Sequence, residues 1–155
     1  MAGLDYPMMV VTAVAADGER SGCLVGFATQ CSIHPPRFAV WISRKNHTFG
    51  VAERAAVLAV HFLSTADQSL AELFGGATDD EVDKFTRCRW RDGPDGVPVL
   101  EDCTRWFAGR VLELMPTGDH VGFLLEPVVA SGSGGPWPGQ LGFQSAETIS
   151  PGHDA

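Results

Sequence analysis

A chain of 155 residues of which 45% are hydrophobic is long enough to bury one core, and we expect a single domain spanning residues 1–155. Its 19 acidic and 11 basic residues give a net charge of -8 and a pI near 4.9, which argues against binding to nucleic-acid phosphates or to an anionic membrane. No apolar run reaches the roughly 18 residues of a membrane span, and the start lacks a signal-peptide pattern, so the sequence predicts a cytoplasmic protein.

Two apolar stretches near the start of the chain are bounded by turn signals. Residues 8–16 form an apolar, β-branched run that ends at Asp17-Gly18, a dipeptide suited to a tight turn, which predicts strand, turn and strand. The second strand is expected over residues 22–32, where the interior Gly26 indicates that another group approaches the backbone closely. His34-Pro35-Pro36 then removes backbone donors and predicts a connection.

The next segment has the pattern of a strand, a helix and a strand. Residues 38–42 and 57–63 are predicted to be buried strands, with a short amphipathic helix over residues 48–56 between them. Ser64 and Thr65 stand three residues before Asp67 and Gln68, a capping-box arrangement that predicts a further helix ending at Gly75-Gly76.

The second half of the chain predicts a long hairpin. An acidic start at residues 78–81 favours another short helix, followed by a loop at residues 92–96. Residues 106–115 and 120–129 are apolar and are separated by a turn, so they are expected to form two long strands. After a loop at residues 131–136, only residues 140–144 have the pattern of a strand.

Six or seven strands with short crossover helices in so short a chain favour a mainly β fold, either a barrel or a sandwich. This barrel or sandwich is expected over residues 6–143. Residues 144–155 are expected to be a flexible tail. Four cysteines without a C-x-x-C pair and five scattered histidines give no metal-ligand spacing, so no metal site is predicted.

A polar cluster at residues 43–48 is the first candidate site. No dinucleotide fingerprint, P-loop, nucleophile elbow or zinc-protease motif occurs, but this cluster follows a buried strand and precedes a predicted helix. Free backbone N–H groups at a helix start, together with hydroxyls and two cations, suit a phosphate. The alternative is an ordinary strand-to-helix turn in which Asn46 or Thr48 caps the helix.

Two further candidates are His120, at a hairpin tip, and the strand over residues 26–32. His120 has the chemistry of a proton donor or a cofactor partner, although an exposed turn histidine is the simpler interpretation. Residues 26–32 carry small and polar side chains that suit a planar ligand, although a half-buried strand would show the same pattern. His61, set among apolar neighbours, is interpreted as a hydrogen-bonded core histidine.

Taken in order, these segments resemble the flavin reductase-like family of FMN-binding split β-barrels. The resemblance runs from about Tyr6 to Phe143. It is carried by these pieces: Val10-Val11-Thr12-Ala13, the run into Cys31-Ser32-Ile33-His34-Pro35-Pro36, Ser43-Arg44-Lys45-Asn46-His47-Thr48, the strand over residues 57–63, Lys84-Phe85, Gly96-Val97-Pro98-Val99-Leu100 and Gly118-Asp119-His120.

The resemblance implies an oxidoreductase that transfers hydride from NADH or NADPH to flavin, with FMN as the flavin and FAD as a possible substitute. Ring contacts are implied for Gly26, Phe27, Ala28, Thr29, Gln30, Cys31 and Ser32. Phosphate contacts are implied for Ser43, Arg44, Asn46, His47 and Thr48. Lys84 and Phe85 would close over the flavin edge, and His120 would be the catalytic residue where nicotinamide docks.

The resemblance further implies a homodimer and a possible partner monooxygenase that receives reduced flavin. The alternative is a flavin-, deazaflavin- or haem-binding split barrel without reductase turnover, since a fold does not dictate a function. Hydride transfer needs little acid–base work from protein groups because the flavin carries the chemistry. The absence of a standard catalytic motif is therefore consistent with this function.

Overall fold

In the computed structural model, residues 3–76, 83–132 and 137–150 are described. Within these ranges the chain forms nine strands and three α-helices, with short 3-10 turns at Lys84–Thr86 and Pro94–Gly96. The strands are β1 Met9–Val14, β2 Arg20–Val25, β3 Ala28–Ser32, β4 Arg37–Ser43, β5 Val57–Phe62, β6 Trp90–Asp92, β7 Pro98–Leu100, β8 Trp106–Pro116 and β9 His120–Ala130. The helices are α1 His47–Ala52, α2 Gln68–Gly76 and α3 Phe143–Ala146.

Seven strands form one antiparallel sheet in the order β2-β1-β5-β8-β9-β4-β3. Its edge strands β2 and β3 are consecutive in the chain and are separated only by Gly26 and Phe27. Because two residues cannot cross the width of a flat seven-stranded sheet, the sheet must curl until its edges approach. The fold is the expected mainly β split barrel.

The central strands are buried on both faces, which explains their continuous apolar runs. In β1, Val11 packs into the barrel interior with Val60 and Phe123, whereas Val10 faces an outer layer containing Leu63 and Leu100. A strand covered on both sides needs apolar residues at successive positions, so the period-2 alternation of a half-exposed strand is lost.

The outer layer comprises α2, the β6–β7 hairpin and α3. Only one half of the predicted capping box forms: the backbone N–H and hydroxyl of Ser64 both donate to Asp67 Oδ2 at 2.8 and 2.6 Å, whereas the Ser64 hydroxyl accepts from the Ala66 N–H and not from that of Asp67. His61 is fully buried and joins the hairpin to the barrel. Its Nδ1 lies 3.1 Å from the Val10 carbonyl oxygen, and its Nε2 accepts from the Leu100 N–H at 3.0 Å, which confirms its interpretation as a core histidine.

Some predicted boundaries are wrong. The single strand expected over residues 22–32 is two strands, because the chain changes sheet edge at Gly26. The helix expected over residues 48–56 is the shorter α1. The loop expected at residues 92–96 is confirmed as the connection between β6 and β7, except that Asp92 is the last residue of β6. The helix start at residues 78–81, most of the loop at residues 131–136 and the end of the tail lie outside the described residues.

The predicted flexible tail needs correction at its beginning. Residues 144–150 are described, and the chain just before them is bonded to the barrel, because the Leu141 N–H donates to the Leu63 carbonyl at 2.9 Å. Ala146 of α3 is buried, and Ile149 packs against the outer layer. This part of the chain is held because it covers apolar surface that the barrel leaves open. None of the helices in the described residues has the length and apolar character to cross a bilayer.

Candidate functional site

A cleft of about 400 Å³ lies where the two edges of the curled sheet meet. Its walls come from the end of β2, the Gly26–Phe27 connection, the end of β4, the start of β9, and the outer helices. The predicted site residues that line it are Gly26, Phe27, Ser43, Asn46 and His120. The cleft thus brings together parts of three separate sequence candidates.

Phe27 is exposed at the edge of this cleft although it is a large apolar residue. Its carbonyl accepts from the Trp41 N–H at 2.8 Å, which ties the connection to β4. With the backbone fixed in this way, 49% of Phe27 remains exposed to solvent. An exposed aromatic ring beside a cleft is typical of a surface that contacts a ligand.

Trp41 forms another part of the cleft wall and depends on a glycine in the neighbouring strand. Trp41 and Gly122 are partners in the β4–β9 register. A Cβ at position 122 would lie 2.8 Å from Trp41 Nε1, so only glycine lets the indole lie across β9. Gly122 therefore sets the position of the Trp41 ring.

His120 is positioned by its pairing with Ser43 at the ends of β9 and β4. Its Nδ1 lies 2.8 Å from Asp119 Oδ1, and its ring centroid lies 5.2 Å from that of Phe27. The hydrogen bond from His120 lowers the pKa of the Asp119 carboxyl. A carboxylate at Nδ1 keeps a proton on that nitrogen and leaves Nε2 as the imidazole atom available to a ligand.

The polar cluster at residues 43–48 is largely bonded within the protein. Asn46 Oδ1 accepts from the Thr48 N–H at 2.9 Å, so Asn46 caps α1, as the simpler interpretation of this segment expected. His47 Nε2 lies 3.0 Å from Glu19 Oε1. The Thr48 hydroxyl is buried 2.8 Å from Ser21 Oγ, within the core, and the implied phosphate contact of Thr48 stays a prediction.

Arg44 is the cation of this cluster nearest to the hairpin tip that carries His120. Its N–H donates to the Asp119 carbonyl at 2.9 Å, and its Nε donates to the Gly118 carbonyl at 3.2 Å. Its guanidinium carbon lies 5.7 Å from the ring centroid of Phe49. Arg44 is exposed and does not itself line the cleft.

Lys84 and Phe85 do not line the cleft. Lys84 is 2% exposed, and its Nζ donates to the Gly22 carbonyl of β2 at 2.8 Å, while Phe85 packs in the outer layer against Phe74. The lysine is buried behind β2, where it satisfies a backbone carbonyl, and the implied closure of these two residues over a flavin edge stays a prediction. Phe85 and His47 line a second, more polar depression of about 470 Å³.

The β3 residues among the candidates lie along the sheet edge, outside the set that lines the cleft. Ala28 packs toward the barrel interior. The exposed side chains bond locally, since Thr29 Oγ1 donates to the Gln30 carbonyl and Gln30 Nε2 donates to the Ser32 carbonyl, at 3.1 and 3.2 Å. The remaining β3 candidate, Cys31, is also exposed.

Several cleft residues carry no motif that would have marked them. Aromatic rings reach the cleft from distant parts of the chain: Tyr6, Trp41, Phe74 and Phe143. Gly26, whose lack of a side chain indicated the close approach of another group, was the one sequence feature that pointed to the aromatic part of the cleft. Among the described residues, no three His, Cys, Asp or Glu side chains gather as a metal site.

Comparisons with known proteins identify the family. The profile of the flavin reductase like domain matches residues 1–138. A protein of Pseudomonas putida named "Flavin reductase" is 35% identical over 117 residues, which are 74% of this chain and 67% of that protein. A protein of Rhizobium meliloti named "Probable flavin reductase" is 29% identical over 112 residues, 72% of this chain and 35% of that protein.

A solved structure agrees with the sequence comparisons. The FMN-binding protein from Thermus thermophilus with bound 1-cyclohex-2-enone superposes with a TM-score of 0.76 and 27% identity, covering 83% of this chain and 71% of that one. The chain spans about a third of the Rhizobium relative and about two thirds or more of the other two. With its profile match over most of its length, the chain belongs to the flavin reductase-like domain family.

Proposed function

We propose that this protein is an NAD(P)H-dependent flavin reductase that binds FMN, or FAD in its place, in the cleft at the barrel seam. The observation that carries the proposal is the meeting of Gly26, Phe27, Ser43, Asn46 and His120 in one cleft of a flavin reductase-like chain. A bound flavin supplies the hydride-accepting ring, and the protein supplies its position and surroundings.

The cleft residues fit a planar ring that carries a phosphate. A volume of about 400 Å³ lies within the roughly 300–1,000 Å³ of small-molecule sites. Phe27 and Trp41 offer apolar ring surface, and Ser43 and Asn46 offer polar atoms at the end where β4 leads into α1. Arg44 adds a fixed positive charge there, which favours a phosphate.

The chain's own groups have distinct roles in this proposal. The His120 imidazole, oriented by Asp119, positions the nicotinamide through Nε2 or holds a proton there. Phe27 and Trp41 exclude water from one side of the ligand. The β3 candidates Ala28, Thr29, Gln30, Cys31 and Ser32 adjoin the cleft through Phe27 and contribute to flavin binding only at its edge.

The name of another relative supports the reductase activity. A protein of Enterobacter sp. named "FMN reductase (NADH) RutF" is 30% identical over 112 residues, 71% of this chain and 68% of that protein. The FMN-binding name of the Thermus protein favours a second candidate, a flavin-binding protein without nicotinamide turnover. The two candidates differ in whether NADH is oxidised.

Anaerobic titration separates them. The purified protein is mixed with FMN and desalted, and its absorbance is followed as NADH or NADPH is added. Flavin bands that bleach faster than in a protein-free control are the expected result. Retained flavin without bleaching would favour the binding protein. A protein that retains no flavin and does not speed FMN reduction would refute both candidates.

We further propose that the protein acts as a cytoplasmic homodimer and passes reduced flavin to a partner monooxygenase. The dimer proposal rests on four apolar side chains of β8 and β9 that are 38–44% exposed: Leu112, Leu114, Val128 and Val129. Apolar patches of this kind are typical of subunit interfaces. The variant Leu112→Asp is expected to lower the mass in sedimentation equilibrium from a dimer toward 16.5 kDa, and a wild-type monomer would contradict the proposal.

A further inference from the structure

Tyr6 lies over the backbone at Gly26, the residue that the proposed function places beside the flavin ring. A Cβ at position 26 would clash with Tyr6 Cε2, so the tyrosine ring fills the space that a side chain would take. Both residues line the cleft. A ligand entering the cleft therefore meets Tyr6 on this side, in front of Gly26.

The Tyr6 ring is held from behind by the C-terminal part of the chain. It stacks on Phe143 with centroids 4.7 Å apart and an interplanar angle of 24°. The Phe143 N–H donates to the Tyr6 carbonyl at 2.9 Å, and the Gln144 N–H donates to Asp5 Oδ1 at 3.0 Å. These contacts fix both the ring and its backbone, so Tyr6 is a preorganised surface.

Tyr6 also belongs to a continuous series of rings that runs along the cleft to His120. Its centroid lies 5.9 Å from that of Phe27, which in turn lies 5.2 Å from that of His120. Phe143, Tyr6, Phe27 and His120 all line the cleft. The series gives a planar ligand apolar ring surface from the outer helices to the proposed catalytic histidine.

Phe143 lies outside residues 1–138, the part of the chain that matches the family profile. The support behind Tyr6 therefore comes from a segment beyond the residues that match the profile.

We propose that Tyr6, supported by Phe143, is a ligand-contacting residue that sets the affinity of the cleft for the flavin ring. The isoalloxazine packs against the Tyr6 ring and does not lie directly on the Gly26 backbone. This inference rests on the proposed function, because it assigns a binding surface to the flavin of that function. Stacking of a heteroaromatic ring on an aromatic side chain corresponds to about a tenfold change in affinity.

The test is a titration of wild type and variants with FMN and with riboflavin, followed by the fluorescence of the flavin. Tyr6 is the only tyrosine in the chain, so its replacement removes one defined ring. Tyr6→Leu is expected to raise the Kd about tenfold and to reduce the quenching of bound flavin, whereas Tyr6→Phe keeps both within about twofold of wild type. Phe143→Leu is expected to raise the Kd about threefold.

Two comparisons separate ring contact from other causes. The loss in Tyr6→Leu should be equal for FMN and riboflavin, because the contact is with the ring, whereas Arg44→Ala should weaken only FMN. Phe62→Leu is the matched control, since Phe62 is a partly buried aromatic of the barrel interior that does not line the cleft. It is expected to lower the Tm and to leave both Kd values unchanged.

The inference is overturned if Tyr6→Leu binds flavin as tightly as wild type or more tightly, because Tyr6 would then be a cover that the ligand displaces. It is also overturned if the loss is confined to FMN. A wild-type protein that neither binds flavin nor oxidises NADH would refute the proposed function and this inference together. If wild type binds flavin and Tyr6→Leu has the same flavin Kd, only the inference is refuted.

Discussion

The buried His61 makes the stability of the protein depend on pH in a predictable way. Burial lowers the pKa of this imidazole from 6.5 to about 4, because the charged form is desolvated in the core. The neutral ring uses both nitrogens, with Nδ1 facing the Val10 carbonyl and Nε2 accepting from the Leu100 N–H. Protonation of Nε2 would remove the second hydrogen bond.

The direction of the effect follows from which state binds the proton more readily. The unfolded chain takes up a proton below pH 6.5, whereas the folded chain resists it until about pH 4. Stability from this residue is therefore complete above pH 6.5 and is lost as the pH falls toward 4. Proton linkage gives a loss of about 2 kcal/mol at pH 5 and about 3 kcal/mol at pH 4.

Urea unfolding of wild type and His61→Asn measures this loss. At pH 7.5 the variant is expected to be less stable by about 3 kcal/mol, because it leaves a buried partner unsatisfied and a small cavity. The difference between the two proteins should shrink by about 2 kcal/mol at pH 5, since only wild type carries the titrating group. Carboxylates titrate in both proteins and cancel in the comparison.

A difference in unfolding free energy that stays constant from pH 7.5 to pH 5 would refute this reasoning. It would mean that His61 takes up its proton at the same pH in the folded and unfolded chains, and that the two hydrogen bonds do not hold the ring in its neutral form.

Three further predictions concern the cleft and its surroundings. His120→Asn is expected to lower kcat/KM for NADH about tenfold in steady-state assays, while a flavin titration should give a nearly unchanged Kd for FMN. An unchanged kcat/KM would show that His120 has no catalytic role. Gly122→Ala should displace Trp41, because the new Cβ would lie 2.8 Å from the indole nitrogen, and tryptophan fluorescence and flavin affinity should change together. Lys84→Met should lower the free energy of unfolding by about 1–3 kcal/mol, because the donor to the Gly22 carbonyl is lost. The Kd for FMN should stay within twofold of wild type, and a large rise in that Kd would show that Lys84 contributes to flavin binding.

The strands were predictable because their signal is local. An apolar run such as residues 57–63 is typical of a strand buried on both faces, and β5 forms within that run. The break at Gly26 was not predictable in the same way. Its neighbours continue the strand pattern on both sides, and only the approach of the two sheet edges decides that the chain must change edge between Val25 and Ala28.

The cleft was only partly predictable for a related reason. Ser43 and Asn46 were found because polar residues follow the end of an apolar strand, and His120 was found because it stands at the turn between two apolar strands. Tyr6 and Phe143 are 137 positions apart in the sequence, and apolar rings look the same in a core as in a ligand site. The burial of Lys84 was not predictable, because its carbonyl partner at Gly22 comes from a strand 62 positions away in the sequence.

The two-residue link between β2 and β3 has a mechanical consequence for ligand entry. Three residue steps separate Val25 from Ala28, and an extended chain covers about 11 Å over that distance. The barrel edges at this end of the cleft are thus tethered by covalent bonds and cannot move far apart. The wall formed by α3 and the segment around Phe143 has no such short covalent link to the two sheet edges, and packing and hydrogen bonds hold it in place. A ligand larger than the resting cleft therefore cannot gain room by separating the two sheet edges at this end.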